Sequence, residues 1–199
     1  MKKIMFNDRY ELTQAVLSGR KTQTRRIVPK DTPLGNWKET EAQVRFRDGE
    51  VVAIAQSYKE AGINPKAVIG LPIKGSKTKG VLQCEAQHTP GWTNKMFVRA
   101  DLMPHHIRIT NVRVERLQDI SDEDCIKEGV REVYVNNNWG NSASHWEFQV
   151  PYEDKFGCTK LLRGATPQEA YAALIDKISG KGIWESNPYV FVYDFELVD

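Results

Sequence analysis

The chain has 199 residues, 40% of them hydrophobic and 27% charged, with a net charge of +2, a balance that fits a folded globular domain and excludes a long polyanion-coating segment. It contains no run of about 18 apolar residues, and Met1-Lys2-Lys3-Ile4 leads into no apolar stretch, so neither a membrane-spanning helix nor a signal peptide is expected. Cys84, Cys125 and Cys158 lie far apart without a Cys-x-x-Cys. That spacing suits a reducing cytoplasm better than a disulfide framework or a zinc ribbon.

Asp8 and Glu11, three residues apart, form a capping pair ahead of an apolar stripe of Leu12, Ala15 and Val16, which predicts a helix. Gly19 stands where a left-handed C-terminal cap belongs. The polar stretch from Lys30 to Glu41 reads as irregular. Val44 to Tyr58 reads as β structure, with a turn at Arg47-Asp48-Gly49-Glu50 and a buried strand from Val51 to Ala55. Residues 62–95, which include Lys74-Gly75-Ser76-Lys77-Thr78-Lys79, read as a long insertion, and Met96-Phe97-Val98 as the start of a strand.

Ile107 to Leu117 predicts a strand with a break in it. Ile107 and Ile109 share one parity while Val112 and Val114 share the other, so a bulge is expected near Thr110-Asn111. Ser121 with Asp124 opens a second helix that ends at Gly129. Residues 131–165 read as a second irregular insertion. Thr166 caps a third helix, Pro167 opens it, Glu169 completes the box, and Ala170, Tyr171, Leu174, Ile175 and Ile178 form its stripe up to Gly180. Tyr189 to Val198 reads as a closing strand, and Trp184 before it as core. Together these elements predict one α+β domain over residues 1–199, built on a small closed β-barrel with three flanking helices and two insertions.

The most informative stretch is Gly19-Arg20-Lys21-Thr22-Gln23-Thr24-Arg25-Arg26. Residues 1–30 hold eight basic side chains against two acidic ones, a local excess of +6 on a nearly neutral chain. Such a concentration fits a small anionic ligand or a short stretch of nucleic acid, or else a solvated face.

On these residues the chain resembles the ASCH domain family, small relatives of the PUA-like RNA-binding barrels. The resemblance is carried by Gly-Arg-Lys-Thr-x-Thr-x-Arg at the helix end, by Gly49-Glu50-Val51-Val52, and by Ile120-Ser-Asp-Glu-Asp-Cys-Ile-Lys-Glu-Gly-Val130. The closing Asn187-Pro-Tyr-Val-Phe-Val-Tyr-Asp-Phe-Glu-Leu197 adds to it. It covers about residues 4–58, 96–130 and 166–199, and the two insertions are similar to those of longer members carried by phages and mobile elements. The resemblance implies a PUA-like barrel with a cleft for a nucleotide or an RNA end; no cofactor or metal is expected. Some small bacterial members remove the acetyl group from N4-acetylcytidine. Their lysine and threonine match Lys21 and Thr24, and their glutamate falls on Glu128.

These groups suit amide hydrolysis chemically. Thr24 is a nucleophile only if a base takes its proton, and Lys21 can be that base once its ammonium form is disfavoured by Arg20, Arg25 and Arg26. Glu128, in the last turn of its helix, would act as the acid. In a regular strand, however, residues 21 and 24 face opposite ways, so their cooperation requires a turn or bulge between them. The plainer readings are a solvated Lys21, a loop-bracing Thr24, a surface Glu128 paired with Arg131, and arginines that meet phosphate or acids.

Other candidates are weaker. His105-His106 has no third ligand at metal spacing, and Gly-Ser-Lys-Thr at 75–78 lacks the first glycine of a P-loop. The aromatics from Tyr134 to Phe156 would stack as a lid over a nucleoside or pack on the barrel itself. The leading expectation is binding of RNA or a modified nucleoside in a cleft lined by Arg20, Lys21, Thr24, Arg25, Arg26 and Glu128. Hydrolysis of an acylated nucleobase and a phage-type protein-interaction module are the alternatives.

Overall fold

The structure is a computed structural model that describes residues 1–64, 68, 89–136 and 144–198. The Lys74–Lys79 run, Cys84, Trp139 and most of residues 62–95 lie outside the described residues. The fold is mixed α and β. Its strands are β1 (Lys3–Ile4), β2 (Gln23–Ile27), β3 (Val51–Ile54), β4 (His106–Arg116), β5 (Arg131–Val135), β6 (His145–Glu153), β7 (Thr159–Gly164) and β8 (Tyr189–Leu197). The helices are α1 (Leu12–Leu17), α2 (Trp37–Ala42), α3 (Asp122–Lys127), α4 (Pro167–Ser179) and α5 (Ile183–Ser186). The chain divides into two compact units, one made of Met1–Phe6, Val51–Arg108 and Leu197–Asp199, the other of Asn7–Glu50 and Ile109–Glu196.

In the first unit β1 runs parallel to β3, with Lys3 opposite Ala53, and β3 pairs antiparallel with the start of β4, with Val52 opposite Ile107. Its core gathers Ala53, Ala55, Tyr58, Val68, Val98 and Met103. Tyr58 organises the loop that follows, since its hydroxyl accepts from the Arg99 N–H at 3.0 Å. Gly91 lies so close to the same ring, at φ 94°, that a Cβ there would fall 2.7 Å from Tyr58 Cε2. Met96-Phe97-Val98 does not begin a strand. Asn94 caps a 3-10 turn over Lys95–Phe97, accepting from the Met96 N–H, and leaves Met96 62% exposed. A local side-chain cap here overrides the β preference of the three residues.

In the second unit β4 neighbours β8 and β8 neighbours β2, with β2 and β8 antiparallel from Gln23 opposite Asp194 to Ile27 opposite Val190. Along β4, Ile107 and Ile109 are buried and Thr110 and Asn111 are both exposed, so the inward-outward alternation breaks there. The expected helices form. Gly19 ends the α1 turn at φ 73°, while Asn7, in place of Asp8, caps the preceding 3-10 turn. Ser121 caps α3, and Thr166 caps α4 by accepting from the Glu169 N–H at 3.2 Å. Ala170, Tyr171, Leu174 and Ile175 bury the inner face of α4, with Ile178 outside it. α4 packs on β6 and β7, and α3 packs against α4 and β2. Trp184 is half-buried and meets Tyr171 edge-on.

Three further expectations change. The stretch from Lys30 to Glu41 contains most of α2, capped by Asn36, a helix whose polar sequence has no apolar stripe to announce it. Much of the stretch 131–164 is regular among the described residues: β5, β6 and β7 form a three-stranded antiparallel sheet. Glu147 and Gln149 occupy buried positions of β6 and bond to each other, which hides the usual alternation of strand residues. The strands thus lie in two sheets, and among the described residues neither closes on itself.

Thr166→Ala should remove one cap bond and destabilise the protein by about 1 kcal/mol, read as a lower urea midpoint at unchanged slope. Gly91→Ala combines left-handed strain with a clash against Tyr58 and should cost about 1–3 kcal/mol in the same measurement.

Candidate functional site

The Gly19–Arg26 stretch is pinned at each residue it needs. The Lys21 N–H donates to Ala15 O at 2.9 Å and the Thr22 N–H to Lys127 O at 3.0 Å, while Thr22 O accepts from Phe195 N–H at 2.8 Å. α1, α3 and β8 therefore hold the loop from three sides, and Lys21 is only 2% exposed. Its Nζ donates to the Glu128 carbonyl at 2.7 Å and to Glu128 Oε2 at 2.5 Å.

Glu128 is buried at the C-terminal cap of α3, and the next residue, Gly129, leaves the helix at φ 110°. A Cβ on Gly129 would meet Leu12 Cδ2 at 3.2 Å and Lys21 Cδ at 3.8 Å, so both the conformation and the close approach call for glycine. Arg131, two residues on, pairs with Glu11 at 2.5 Å and not with Glu128.

Arg25 is the centre of the cluster, with a side chain 0% exposed. Its Nε donates to Glu115 Oε1 at 3.1 Å, its Nη1 to Gln23 Oε1 and to Glu128 Oε1 at 3.3 Å, and its Nη2 to Glu115 Oε1 at 2.5 Å and Asp124 Oδ2 at 3.1 Å. A guanidinium has five N–H donors, and all five are engaged. Arg113 extends the network, donating to Glu115 Oε2 at 3.1 Å, Asp124 Oδ2 at 2.8 Å and Asp194 Oδ2 at 2.6 Å. Gln23 and Asn111 also donate to Asp194, and Lys127 to Asp124. Four cations, Lys21, Arg25, Arg113 and Lys127, thus face four anions, Glu128, Glu115, Asp124 and Asp194. The cluster is balanced.

The electrostatics follow from burial. Desolvation lowers the Lys21 pKa, Glu128 opposes the shift, and Arg26 and Arg25 add to it. Burial, rather than the surrounding arginines, is therefore the main cause, and Arg20 lies outside on the surface. Arg25 is held above its ordinary value: burial opposes its charge, and Glu128 and Glu115 more than offset that. Tyr171, buried on α4, keeps its proton because burial and then the Glu128 charge both disfavour the phenolate.

The structure therefore brings together Lys21, Arg25 and Glu128 and leaves Arg20 and Arg26 exposed. Thr24 is buried in β2 opposite Tyr193. Strand alternation sets it on the face away from Gln23 and Arg25. Gln23, Arg113, Glu115, Asp124 and Asp194 escaped the sequence reading as site residues. Their signal was parity: Gln23 and Arg25 on one strand, and Asn111, Arg113 and Glu115 on another, place polar groups at every second residue, with Asp194 the lone acid in Tyr189–Phe195.

No family model, no curated protein and no solved structure matches this chain. Among the described residues no group of three His, Cys, Asp or Glu side chains gathers as a metal site.

Arg25→Leu would leave Glu115, Asp124 and Glu128 without their shared cation, and should cost about 3–5 kcal/mol in chemical denaturation. Asp124 supplies a pH test. Burial pushes its carboxyl up, but the bonds from Lys127 and Arg25 hold it below its ordinary 3.8. A carboxyl depressed in the folded state stabilises above its unfolded pKa, and that contribution is lost as pH falls through the folded value. Wild-type stability should therefore fall on acidification below about pH 4, with a shallower fall in Asp124→Asn, read from thermal melts across that range.

Proposed function

We propose that this chain is an ASCH-type amidohydrolase, with the PUA-like architecture that the resemblance implies, which removes an acyl group from the exocyclic nitrogen of a modified nucleobase. The observation that carries this reading is the buried contact of 2.5 Å between Lys21 Nζ and Glu128 Oε2. In this mechanism the neutral Lys21 amine accepts the proton of the attacking oxygen, and Glu128 keeps the amine in place and helps return the proton to the leaving nitrogen. Water is consumed, the C–N amide bond breaks, and the products are a carboxylic acid and the free amino base.

The attacking oxygen is Thr24 Oγ1 or water. A loss of turnover in Thr24→Ala as large as in Lys21→Ala assigns the attack to Thr24, whereas retained turnover assigns it to water. With Lys21 almost fully covered, substrate reaches the amine only when neighbouring groups such as Leu12 and Ala15, which flank Gly129 beside it, move aside.

Hydrolysis is preferred to polyanion binding because Arg25 has no donor left for phosphate and its cluster carries no excess of positive charge. Binding of RNA remains the second reading on one observation, the exposure of Arg20 and Arg26 next to the site.

The test is incubation with N4-acetylcytidine, following cytidine by chromatography. Release should occur with the wild type and drop by about 10²–10⁴-fold in Lys21→Ala and Glu128→Gln. No release, while an active family member works alongside, sinks the proposal. RNA affinity that falls with salt and with Arg20→Ala or Arg26→Ala then carries the second reading. The pH dependence adds a sign. Since the neutral amine is the base and burial lowers its pKa, log kcat/KM should rise with pH and level off below the ordinary lysine value of 10.5. In Glu128→Gln, which removes the main opposing charge, the Lys21 titration followed by NMR should move to still lower pH.

A further inference from the structure

The face of β5 and β6 that carries Tyr134 and Trp146 has no part in the Lys21 cluster, and its residues are unusual for a solvated surface. Tyr134 is 52% exposed and Trp146 60% exposed. They lie directly opposite each other across the two strands, ring centroids 5.1 Å apart. Two residues along the same face, Glu132 lies opposite Phe148. Those two residues line one wall of an open groove of about 430 Å³, closed on its other sides by Asp122, Glu123 and Ile126 of α3 and by Ala165 to Pro167 at the start of α4. Ile126 is 38% exposed in it. Trp146, Tyr134, Phe148 and Ile126 therefore form one apolar track, about 7 Å of strand separating its aromatic end from the groove.

The rim of this track carries charge of a single sign. Asp122, Glu123 and Glu132 are exposed, and none pairs with a cation among the described residues. The cations nearby are committed elsewhere: Lys127 is held by Asp124, and Lys160 by Asp154. Arg163 and His145 stand on the opposite face of the sheet beside Glu147. An exposed aromatic pair running into an apolar groove marks an interaction surface. Three unpaired carboxylates around it repel nucleic acid and lipid headgroup phosphates, and attract cations. Indole and phenol rings are also the best side-chain faces for guanidinium and ammonium groups.

We propose that this face docks a basic protein segment, in which arginine or lysine side chains stack on Trp146 and Tyr134 and reach the carboxylates of Asp122, Glu123 and Glu132, while an apolar side chain enters the groove beside Phe148 and Ile126. Arginine fits better than lysine because its planar fork both stacks and donates in pairs. The track has a strand's repeat, so the partner binds extended, with its cations at alternate residues. The assignment is independent of the hydrolase reading.

Fluorescence anisotropy on the full chain tests it, with the labelled peptide Arg-Leu-Arg-Leu-Arg as the probe and Glu-Leu-Glu-Leu-Glu as its counterpart. The basic peptide should bind saturably and more weakly as salt rises, and the acidic one should not bind. Affinity should fall at least tenfold in Trp146→Ala and in the double variant Glu123→Lys/Glu132→Lys, both of which alter exposed side chains and leave the circular dichroism spectrum and melting temperature near wild type. Lys21→Ala should bind the peptide as the wild type does, which separates failure here from failure of the hydrolase. No saturable binding, equal binding of the acidic peptide, or unchanged affinity in both variants overturns the proposal. So does sedimentation of the wild type as a dimer that Trp146→Ala dissociates, since the face is then filled by a second copy.

Discussion

Burying the Arg25 guanidinium constrains much of the second unit. A cation removed from water is tolerable only when each of its donors is met and its charge is balanced nearby. Five bonds to four acceptors do so here, drawn from β2 itself (Gln23), from β4 (Glu115, twice) and from α3 and its cap (Asp124, Glu128). Each acceptor then needs its own orientation, which Arg113, Lys127 and Lys21 provide. The identity of one side chain on β2 thereby fixes the register of β4 and the rotation of α3. Apolar packing alone would not do this, because it tolerates sliding and repacking that a set of five directed bonds does not.

The same arrangement accounts for the unusual state of Lys21. Its ammonium is desolvated, which favours the neutral amine, yet it touches a carboxylate, which favours the charge. Desolvation is the larger of the two influences, so the ammonium form of Lys21 is weakened while its bond to Glu128 holds the side chain in place. Gly129 contributes by absence: without a Cβ it lets the lysine stem pass beside α1 and reach Glu128. The site is thus assembled from two helix ends and a strand start, where backbone geometry is set by caps rather than by repeat.

What the sequence made legible followed from local rules. Thr166, Pro167 and Gly180 bracket α4, and Gly19 and Gly129 mark helix ends, because caps and left-handed residues act within a few positions. Lys21 stood out in the basic run, whereas Glu128 was found only through the resemblance; their contact spans 107 residues, which no local pattern encodes. Arg25 reads from sequence as meeting phosphate or acids; it meets acids, and a basic run gives no sign of which ones. The β5–β7 sheet was hidden for a related reason: buried Glu147 and Gln149 satisfy each other, so a polar pair occupies positions where apolar residues normally betray a strand. The closed barrel is read from few helices and scattered strands; the strands lie in two sheets, neither of which closes among the described residues, because strand spacing along a chain does not say whether the end strands meet.

β8 lies between β4 and β2 in the second unit, although it is the last of the three in sequence. On the ribosome, therefore, β2 and β4 leave the exit tunnel with no common neighbour, and Arg113 emerges well before Asp194. The nascent chain carries the β2 edge unpaired, and Arg113 without Asp194, until β8 is threaded between β4 and β2. This order of events makes the unit's completion a late, all-at-once step, and any polypeptide stopped short of Tyr189 a candidate for chaperone capture rather than a stable intermediate.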